Sequence, residues 1–446
     1  MPRRARILLL GVALAVPVGC GPSAGSPATP RNVVLISIDT LRADHLGAYG
    51  HERATSPNLD GFAGRGVLFE NVSSTAPWTL PAHASMLTGL LPANHGVRTH
   101  VHRLPDDVPA LAQTLSDRGF DTAAFVNAYF MEERFGLDRG FDLYRSFPED
   151  QSRSGATLRV LEAAERWLAA RGDAPFLLLV HLFDVHSSYR SLPAYEALFT
   201  EGEHRYTGDT FEIMLGMNGD VPLGADDADR LARLYDASIR QLDDQLKSFL
   251  DALAYHGPDA DTLVVVTSDH GEEFLEHGSM VHGHTHYEEV LRVPLLMAGP
   301  GLPAGRRVSA PASLVDLVPT LLDLLGVDDA PPGDGRSLRG SWEQRGGGPP
   351  RVLLAEGGPM EENALMSVRH GDLKLIVDRR NGERRLFDLA RDPGEKDDLA
   401  SRRPEDVAAL ASRLAGYVRT AREPVVLEAP GEEAEERLRA LGYLAP

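Results

Sequence analysis

The 446-residue sequence predicts an α/β fold, with a large and mostly parallel sheet covered by helices on both faces, followed by a small C-terminal α+β subdomain. Apolar, β-rich runs alternate with segments of helical periodicity over most of the chain. Glycine and proline then cluster at 331–350, and short strand-like runs joined by turns follow. These observations place a catalytic α/β domain at 32–345 and a C-terminal subdomain with a tail helix at 346–446, after an N-terminal signal segment (1–20) and a flexible tether (21–31).

The strands and helices of the first part can be placed from their patterns. Pro319 predicts a kink or an early stop in the helix that the pattern places at 313–326. The C-terminal runs VLLAE, ALMSVRHGDLKLIVD and GERRLFDLA predict a small antiparallel sheet, and a helix is predicted at 404–420. The predicted strands of the first part lie at 32–38, 120–126, 175–183, 261–268 and 293–298, and its other helices include 109–118, 155–171 and 226–254.

The N-terminus has the features of an export signal. A cationic start, MPRRAR, precedes the apolar run ILLLGVALAVPVG, which is too short to span a membrane as a mature helix. Cys20 stands where a bacterial lipoprotein signal places its lipidated residue, although a conventional signal peptide with an incidental cysteine is the alternative. We expect export to the periplasm or cell surface, with a lipid anchor on Cys20. The chain has no other cysteine, which excludes disulfides and cysteine-based metal sites.

Charge and composition limit the partners. The formal net charge is −20, and no basic stripe is present, which argues against nucleic-acid binding. The composition of 43% hydrophobic and 25% charged residues is that of an ordinary globular protein.

Acidic residues follow two of the predicted strands. Asp39 comes directly after NVVLISI, and Asp269 with His270 follows DTLVVVTS. A carboxylate at the end of a buried strand is costly unless it meets a cation, and the carboxyl ends of parallel strands face one crevice. Two carboxylates and an imidazole form a ligand set for a divalent ion, with Mn²⁺, Ca²⁺ and Zn²⁺ left open. The alternative for each aspartate alone is a turn or a helix cap.

Thr79 begins the segment TLPAHASMLTG, where Pro81 suits the first turn of a helix. A threonine there often serves only as a cap. A hydroxyl that coordinates a divalent ion beside a helix N-terminus would instead be an activated nucleophile.

Longer motifs carry a family resemblance from Asn32 to about Leu399. The chain resembles the sulfatase family of the alkaline phosphatase superfamily, which implies an α/β/α sandwich and metal-dependent hydrolysis of anionic esters. The matching segments are IDTLRADHLGAYG, SPNLDGFAGRGVLFENV, TLPAHASMLTGLLPANHGV, HLFDVHSSY, TSDHGEEFLEHG, YEEVLRVPLLMAGPG, VDLVPTLLDLLG, DGRSL and LFDLARDPGEKDDLA.

The departures from the family pattern bear on the chemistry. Sulfatases make formylglycine from Cys or Ser in Cys/Ser-x-Pro-x-Arg, but here Thr79 and His83 occupy the first and last positions. Thr40 stands where the family has a second aspartate, and His270 where it has asparagine. The remaining set resembles the one-metal, threonine-nucleophile phosphotransfer enzymes of the superfamily. This resemblance implies that Asp39, Thr79, Asp269 and His270 hold the ion.

Other residues are expected to contact the substrate. Asn127 resembles the phosphate-binding asparagine of those enzymes, and His83 and His282 complete the expected substrate-binding set. His186 matches the family's substrate-binding histidine, and His186 or His284 is the expected proton donor to the leaving group. Glu272 is expected to orient His270. A second metal ion would need Asp184 together with His186, His282 or His284 as ligands. The spacing of these residues along the chain differs from the pattern expected for two-metal relatives.

The resulting hypothesis is a metal-dependent hydrolase of sulfate or phosphate esters with Thr79 as nucleophile. A threonine ester cannot release its anion by breaking its own C–O bond as a formylglycine diol can, so phospho-esters are favoured. The expected substrate is a sulfated or phosphorylated small molecule, glycan or lipid. A non-catalytic, metal-retaining binding lipoprotein and a phospho-group transferase acting on envelope glycan or lipid are the alternatives.

Overall fold

A nine-stranded mixed sheet lies at the centre of the computed structural model. Among its described strands only β10 runs antiparallel to its neighbours, which confirms the expected mostly parallel sheet. Strand β2, which the sequence patterns did not predict, extends the sheet beyond β10. The order across the sheet is β11 (Arg306–Val308), β2 (Val67–Ser73), β10 (Arg292–Ala298), β7 (Thr262–Thr267), β1 (Asn32–Ile38), β6 (Phe176–Leu182), β4 (Asp121–Val126) and β5 (Leu143–Ser146), with β12 (Ala312–Ser313) paired to β2.

The described residues are 29–147, 155–202, 205–217, 223–255, 261–343, 350–358, 364–419, 421–427, 431, 435 and 438. The predicted signal segment, Cys20 and most of the predicted tether lie outside them. Within these ranges no helix has the length and apolar character needed to cross a membrane.

The central strands are buried on both faces because their residues are almost continuously apolar. In β1, Val33 and Leu35 contribute to one core, whereas Val34 and Ile36 contribute to the other. Successive side chains of a strand point to opposite faces, so one apolar run serves two helical layers. The first layer packs α2 (Thr79–Thr88), α4 (Leu111–Ser116) and α10 (Leu317–Leu324), and the second packs α1 (Pro57–Gly64), α5 (Ala156–Ala170) and α8 (Ala225–Tyr255).

The helix predicted at 313–326 is shorter than its pattern. A 3₁₀ turn over Leu314–Asp316 precedes α10, and Pro319 falls in the first turn of the α-helix. A proline is tolerated there because the first amide groups of a helix lack partners within the helix. The remaining described helices are α3 (Pro92–His95), α6 (Pro193–Phe199), α7 (Thr210–Met217), α9 (Glu288–Leu291), α11 (Arg339–Glu343) and α12 (Pro404–Val418).

A separate four-stranded antiparallel sheet follows the Gly/Pro-rich segment, as predicted. Helix α12 packs on it through Val407, Leu410 and Leu414. The chain then returns to the first part of the protein, where β17 (Val425–Val426) pairs with β3 (His102–Arg103). The strands of the small sheet are β13 (Val352–Glu356), β14 (Leu365–His370), β15 (Leu373–Asp378) and β16 (Arg384–Asp388). Earlier in the chain, β8 (Glu273–Phe274) and β9 (Met280–Val281) form a separate two-stranded hairpin.

Candidate active site

Four adjacent parallel strands, β7, β1, β6 and β4, end at the same edge of the large sheet. Asp269 and His270 follow β7, Asp39 follows β1, His186 follows β6 and Asn127 follows β4. The amide of Asp39 donates to the carbonyl of Leu182 at 2.9 Å, which holds the end of β1 against β6. The predicted meeting of these side chains at one sheet edge follows from this topology.

Thr79 is the first residue of α2, and its hydroxyl faces the acidic residues. The Oγ1 atom lies 3.5 Å from Oδ2 of Asp39 and 3.5 Å from Nε2 of His270. Trp78, not Thr79, occupies the cap position, and no side-chain cap bond forms there. The hydroxyl is therefore directed at the carboxylates and the imidazole at the positive end of the helix.

Asp39, Asp269 and His270 form a ligand set of the right size for one ion. One ligand atom from each lies within 4.8 Å of the others, and all three side chains are fully buried. Oδ1 of Asp39 and Oδ2 of Asp269 have no hydrogen-bond partner among the described residues. Buried, unpartnered carboxylate oxygens are costly unless a cation meets them, so these residues fit a divalent metal ion.

The orientation of His270 also suits a ligand. Its Nδ1 meets the carbonyl of Gly271 at 3.0 Å, and since a carbonyl only accepts, Nδ1 carries a proton. Nε2 then faces Oδ2 of Asp269 at 3.3 Å and Oδ1 of Asp39 at 3.5 Å. A carbonyl that fixes the distal nitrogen of a histidine is the usual support of a metal-bound imidazole.

The charges of the three groups are strongly interdependent. Burial raises the pKa of Asp39 to about 7, and the charge of Asp269 adds to this effect. Burial opposes the charged form of His270, but the Asp269 and Asp39 carboxylates raise its pKa to about 9. The pKa of Asp269 is lowered despite its burial, chiefly by His270. The carboxylates therefore hold a proton on His270 in the metal-free protein, and metal binding would release it.

The backbone at Thr40 brings an amide to the same carboxylate. Thr40 has a left-handed φ of 56°, which is unfavourable for a β-branched residue. Its amide lies 3.3 Å from Oδ1 of Asp269, and its carbonyl accepts from the hydroxyl of Tyr235 at 2.7 Å. Thr40, which stands where the family pattern has a second aspartate, thus donates a backbone hydrogen bond to the carboxylate of Asp269.

Asn127 is fully buried, and neither its amide nitrogen nor its amide oxygen has a hydrogen-bond partner among the described residues. A buried amide without partners carries a desolvation cost of about 1–3 kcal/mol. This position suits a side chain that completes its hydrogen bonds with a bound anion.

Comparisons with known proteins identify the fold and the family. Residues 31–327 match the family model described as Sulfatase. The chain belongs to the sulfatase family. It is 25% identical to the Δ4,5-hexuronate-2-O-sulfatase of Bacteroides thetaiotaomicron, covering 85% of this chain and 86% of that protein. It is 32% identical to mouse arylsulfatase K, covering 87% and 79%. The phosphonate monoester hydrolase structure from Agrobacterium radiobacter superposes with a TM-score of 0.73 at 23% identity, covering 90% and 100%.

Membership confirms the resemblance and the alkaline-phosphatase-like fold that the sequence motifs implied. Sulfatases are sulfuric ester hydrolases that usually bind a divalent metal ion, so this chain is a member of a family of metal-dependent ester hydrolases. The carboxylates of Asp39 and Asp269 form the acidic part of the candidate metal centre.

His181 is a member of this sulfatase site that the sequence reasoning missed. It lies in β6 rather than after it, and its Nε2 is 3.2 Å from Oδ2 of Asp39. The ring is fully buried, and neither nitrogen makes a hydrogen bond within the described residues. The available signal was one imidazole in the otherwise apolar run FLLLVHL, one residue before the end of the strand.

The expected role of His83 in substrate binding stays a prediction. Its Nδ1 meets the carbonyl of Thr79 at 2.9 Å, and its Nε2 meets the hydroxyl of Ser37 at 2.9 Å. Burial lowers its pKa to about 4, so the ring is neutral. His83 lies one helical turn after Thr79, and its Nδ1 is also 3.5 Å from Oδ2 of Asp269, so the ring lies beside the candidate metal centre.

His186 and His282 meet at the same edge of the sheet. Their rings lie 4.8 Å apart, and the His282 ring lies 4.4 Å from that of His270. The expected contact between Glu272 and His270 is replaced by a bond from Nδ1 of His282 to Oε1 of Glu272 at 2.9 Å. Burial lowers the pKa of both His186 and His282, which favours neutral rings.

His284 is half buried and lines a cavity of about 150 Å³ against the C-terminal sheet. Asp184 is half buried, and its Oδ2 accepts from the amide of Thr157 at 3.3 Å, at the start of α5. The proton-donor role of His284 stays a prediction.

Proposed function

We propose that this chain is a one-metal ester hydrolase in which Thr79 is the nucleophile and phospho-esters are preferred to sulfate esters. The observation that carries the proposal is the position of the Thr79 hydroxyl, 3.5 Å from both Asp39 and His270 at the start of a helix. Threonine cannot be converted to formylglycine, so the hydroxyl itself must form the bond to the substrate.

Asp39, Asp269 and His270 would hold the ion, with His181 as a fourth ligand in place of the carboxylate missing at Thr40. A divalent ion at these groups supplies charge neutralisation for the ester oxygens and lowers the pKa of a coordinated hydroxyl. The helix N-terminus beside Thr79 adds a fixed positive field for the incoming anion.

The remaining residues would bind, position and move protons. Asn127 would donate to a non-bridging oxygen of the ester. His83 would act as a positioning residue, because it bonds to the Thr79 carbonyl beneath the nucleophile. His186, whose Nδ1 donates to the carbonyl of Ser187, would exchange a proton with the leaving oxygen. His284 is the second candidate for this proton transfer.

Attack by the Thr79 oxygen forms a threonine ester of the anion and breaks the bond to the leaving group, which takes up a proton. Water must then attack phosphorus or sulfur directly. A threonine ester, unlike the ester of a formylglycine diol, cannot release its anion by breaking its own C–O bond. Phosphoryl centres undergo this attack under electrostatic activation, which is the reason to prefer phospho-esters. The names of the relatives point to sulfated saccharides and other sulfate esters, so glycan or small-molecule esters are the proposed substrates.

The test is a panel of four substrates: 4-nitrophenyl phosphate, bis(4-nitrophenyl) phosphate, a 4-nitrophenyl phosphonate monoester and 4-nitrophenyl sulfate. Each is assayed with Mn²⁺, Zn²⁺ and Ca²⁺. Cleavage of a phosphorus ester faster than the sulfate supports the proposal, and cleavage of the sulfate alone overturns the substrate preference. Thr79→Ala should lower kcat by a factor of about 10³ or more while the bound metal is retained. Thr79→Ser is the matched control, because it keeps the nucleophilic oxygen.

A non-catalytic protein would behave differently in the same experiment. It would bind the ion and turn over no ester, and the two Thr79 variants would be indistinguishable from the unmodified chain. Full activity in Thr79→Ala would likewise exclude the threonine as nucleophile.

A further inference from the structure

A second cluster of metal-ligating side chains lies where the β8/β9 hairpin meets α9. Glu273, His277 and Glu289 each place one ligand atom within 4.8 Å of the others. Glu273 is in β8, His277 is in the hairpin loop, and Glu289 is in α9. No part of the proposed hydrolysis uses these residues, and none of them is a member of the Asp39, Asp269 and His270 set.

Glu273 is the most informative residue of the cluster. Its side chain is fully buried, and neither carboxylate oxygen has a hydrogen-bond partner among the described residues. Burial raises the pKa of Glu273 to about 8. The nearby Thr285 hydroxyl lowers this pKa in part, although the two side chains do not form a hydrogen bond. A carboxylate in this position is costly, and a cation is the group that stabilises it best.

His277 has the orientation of a metal ligand. Its Nε2 meets the carbonyl of Glu395 at 3.1 Å, and because a carbonyl only accepts, Nε2 carries a proton. Nδ1 then faces the carboxylate of Glu289. This repeats the arrangement of His270, where one ring nitrogen is fixed by a carbonyl and the other is directed at carboxylates.

The backbone holds the acidic groups together. The amide of Gly271 donates to the carbonyl of Val290 at 2.7 Å, and that of Glu272 to the carbonyl of Glu289 at 3.1 Å. A Cβ on Gly271 would lie 2.0 Å from the Glu289 carbonyl oxygen, so only glycine permits this approach. The segment that carries Glu273 is therefore pressed against the start of α9, and the geometry of the cluster is set by main-chain contacts.

Another cluster of histidine and carboxylate side chains, away from both sites, provides a contrast. His45, His51 and Asp236 also have ligand atoms within 4.8 Å of one another. There, Nη1 of Arg53 lies 2.6 Å from Oδ2 of Asp236 and supplies the positive charge. Among the described residues no arginine or lysine forms an ion pair with Glu273 or Glu289.

We propose that Glu273, His277 and Glu289 bind a second divalent metal ion, Zn²⁺ or Mn²⁺, which ties the β8/β9 hairpin to α9. Two carboxylates and one imidazole are a donor set that both ions accept. The hairpin also carries the segment with Glu272 and His282, so the second ion stabilises the framework of the active site without contacting substrate.

The test is a metal count on the full chain after equilibrium dialysis against Zn²⁺ and, separately, Mn²⁺, by plasma mass spectrometry. We expect two ions per unmodified chain, one in Glu273→Gln or His277→Gln, one in Asp39→Asn, and none in the Asp39→Asn/Glu273→Gln double variant. Glu165→Gln, on the exposed face of α5, is the control and should keep two. Glu289→Gln is a further variant should one of the others fail to fold, with circular dichroism to check each.

The outcomes separate this site from the proposed active site. An unchanged count in both Glu273→Gln and His277→Gln overturns the second site. A single ion that only Asp39→Asn removes also overturns it and leaves the proposed function intact. A single ion that only Glu273→Gln removes supports this site and contradicts the metal centre at Asp39. In crystals, an anomalous peak about 2.0–2.2 Å from the three ligand atoms would support the site, and its absence at full Zn²⁺ loading would count against it.

Discussion

Nε2 of His181 lies 3.2 Å from Oδ2 of Asp39, with both side chains fully buried at the carboxyl edge of the large sheet. This contact joins β6 to the end of β1 at the candidate metal centre. Burial and the charge of Asp269 raise the pKa of Asp39, and the proton held on His270 is the positive charge that a bound cation would replace.

The first prediction concerns His181 as a ligand. His181→Ala should weaken metal binding by about 10- to 100-fold or more, because it removes a donor beside Asp39. Isothermal titration with Mn²⁺ or Zn²⁺ measures the change. His95→Gln is the control, because His95 is equally buried but bonds to Ser85 at 3.1 Å, away from the carboxylates. Equal affinity in His181→Ala and the unmodified chain would exclude His181 from the centre.

The second prediction concerns His282, whose ring contacts those of His186 and His270. His282→Ala should lower kcat/KM for an anionic ester by about 10²-fold while the metal content stays unchanged, because it removes a polar contact to the substrate. His282→Lys should recover part of this loss, because it restores a hydrogen-bond donor and adds a positive charge toward an anionic ester. Wild-type kinetics in His282→Ala would refute the assignment.

The third prediction concerns acid stability through Asp236. Burial opposes its charge, but hydrogen bonds from His45, His51 and Arg53 lower its pKa below the usual range. A lowered pKa stabilises the fold above the unfolded value of about 4, and this contribution is lost as the pH falls further. Asp236→Asn should therefore lower the free energy of unfolding by about 2–3 kcal/mol at pH 7, because it leaves buried partners unpaired.

The measurement for Asp236 is urea unfolding at several pH values. The difference between Asp236→Asn and the unmodified chain should shrink below about pH 4, because Asp236 of the unfolded chain takes up a proton there while the folded protein still holds it ionised. Asp229→Asn is the matched control on the same helix, since its side chain is 55% exposed and should change stability by less than about 0.5 kcal/mol. Equal midpoints for Asp236→Asn and the unmodified chain at pH 7 would contradict the prediction.

The fourth prediction concerns export, which we propose on the N-terminal pattern alone. Expressed in a bacterium with its own signal segment, the chain should partition with membranes and incorporate labelled palmitate. Cys20→Ala should abolish both, because Cys20 is the only thiol that could be acylated. A soluble, exported and unlabelled chain would instead indicate a conventional signal peptide.

Much of the fold could be predicted from local patterns. The apolar runs ending at Ile38, Val126 and Leu182 were recognised because strands buried on both faces need continuous apolar residues. Strand β2 was missed because its pattern is broken by Glu70 and Asn71 near the edge of the sheet. The start of α10 was misplaced, since a 3₁₀ turn and an α-helix share the same apolar spacing locally.

The sequence alone determined which residue types could form the site. Asp39, Asp269 and His270 could be named in advance because they lie at the ends of β1 and β7, within three residues of the last strand residue, and strand ends share an edge in parallel sheets. Thr79 could be named because it replaces a known nucleophile in a recognisable motif. These inferences need only adjacency along the chain and one rule of topology.

Only the tertiary structure decided the partners of the histidines. His181 lies beside Asp39 because β6 pairs with β1, and the ring of His83 contacts the Ser37 hydroxyl and the Thr79 carbonyl. Glu272 was found to support His282, and Glu273 to meet His277 and Glu289. An imidazole has two nitrogens and a reach of several ångströms, so its role depends on which strands and loops surround it, and that is set by packing over long sequence separations.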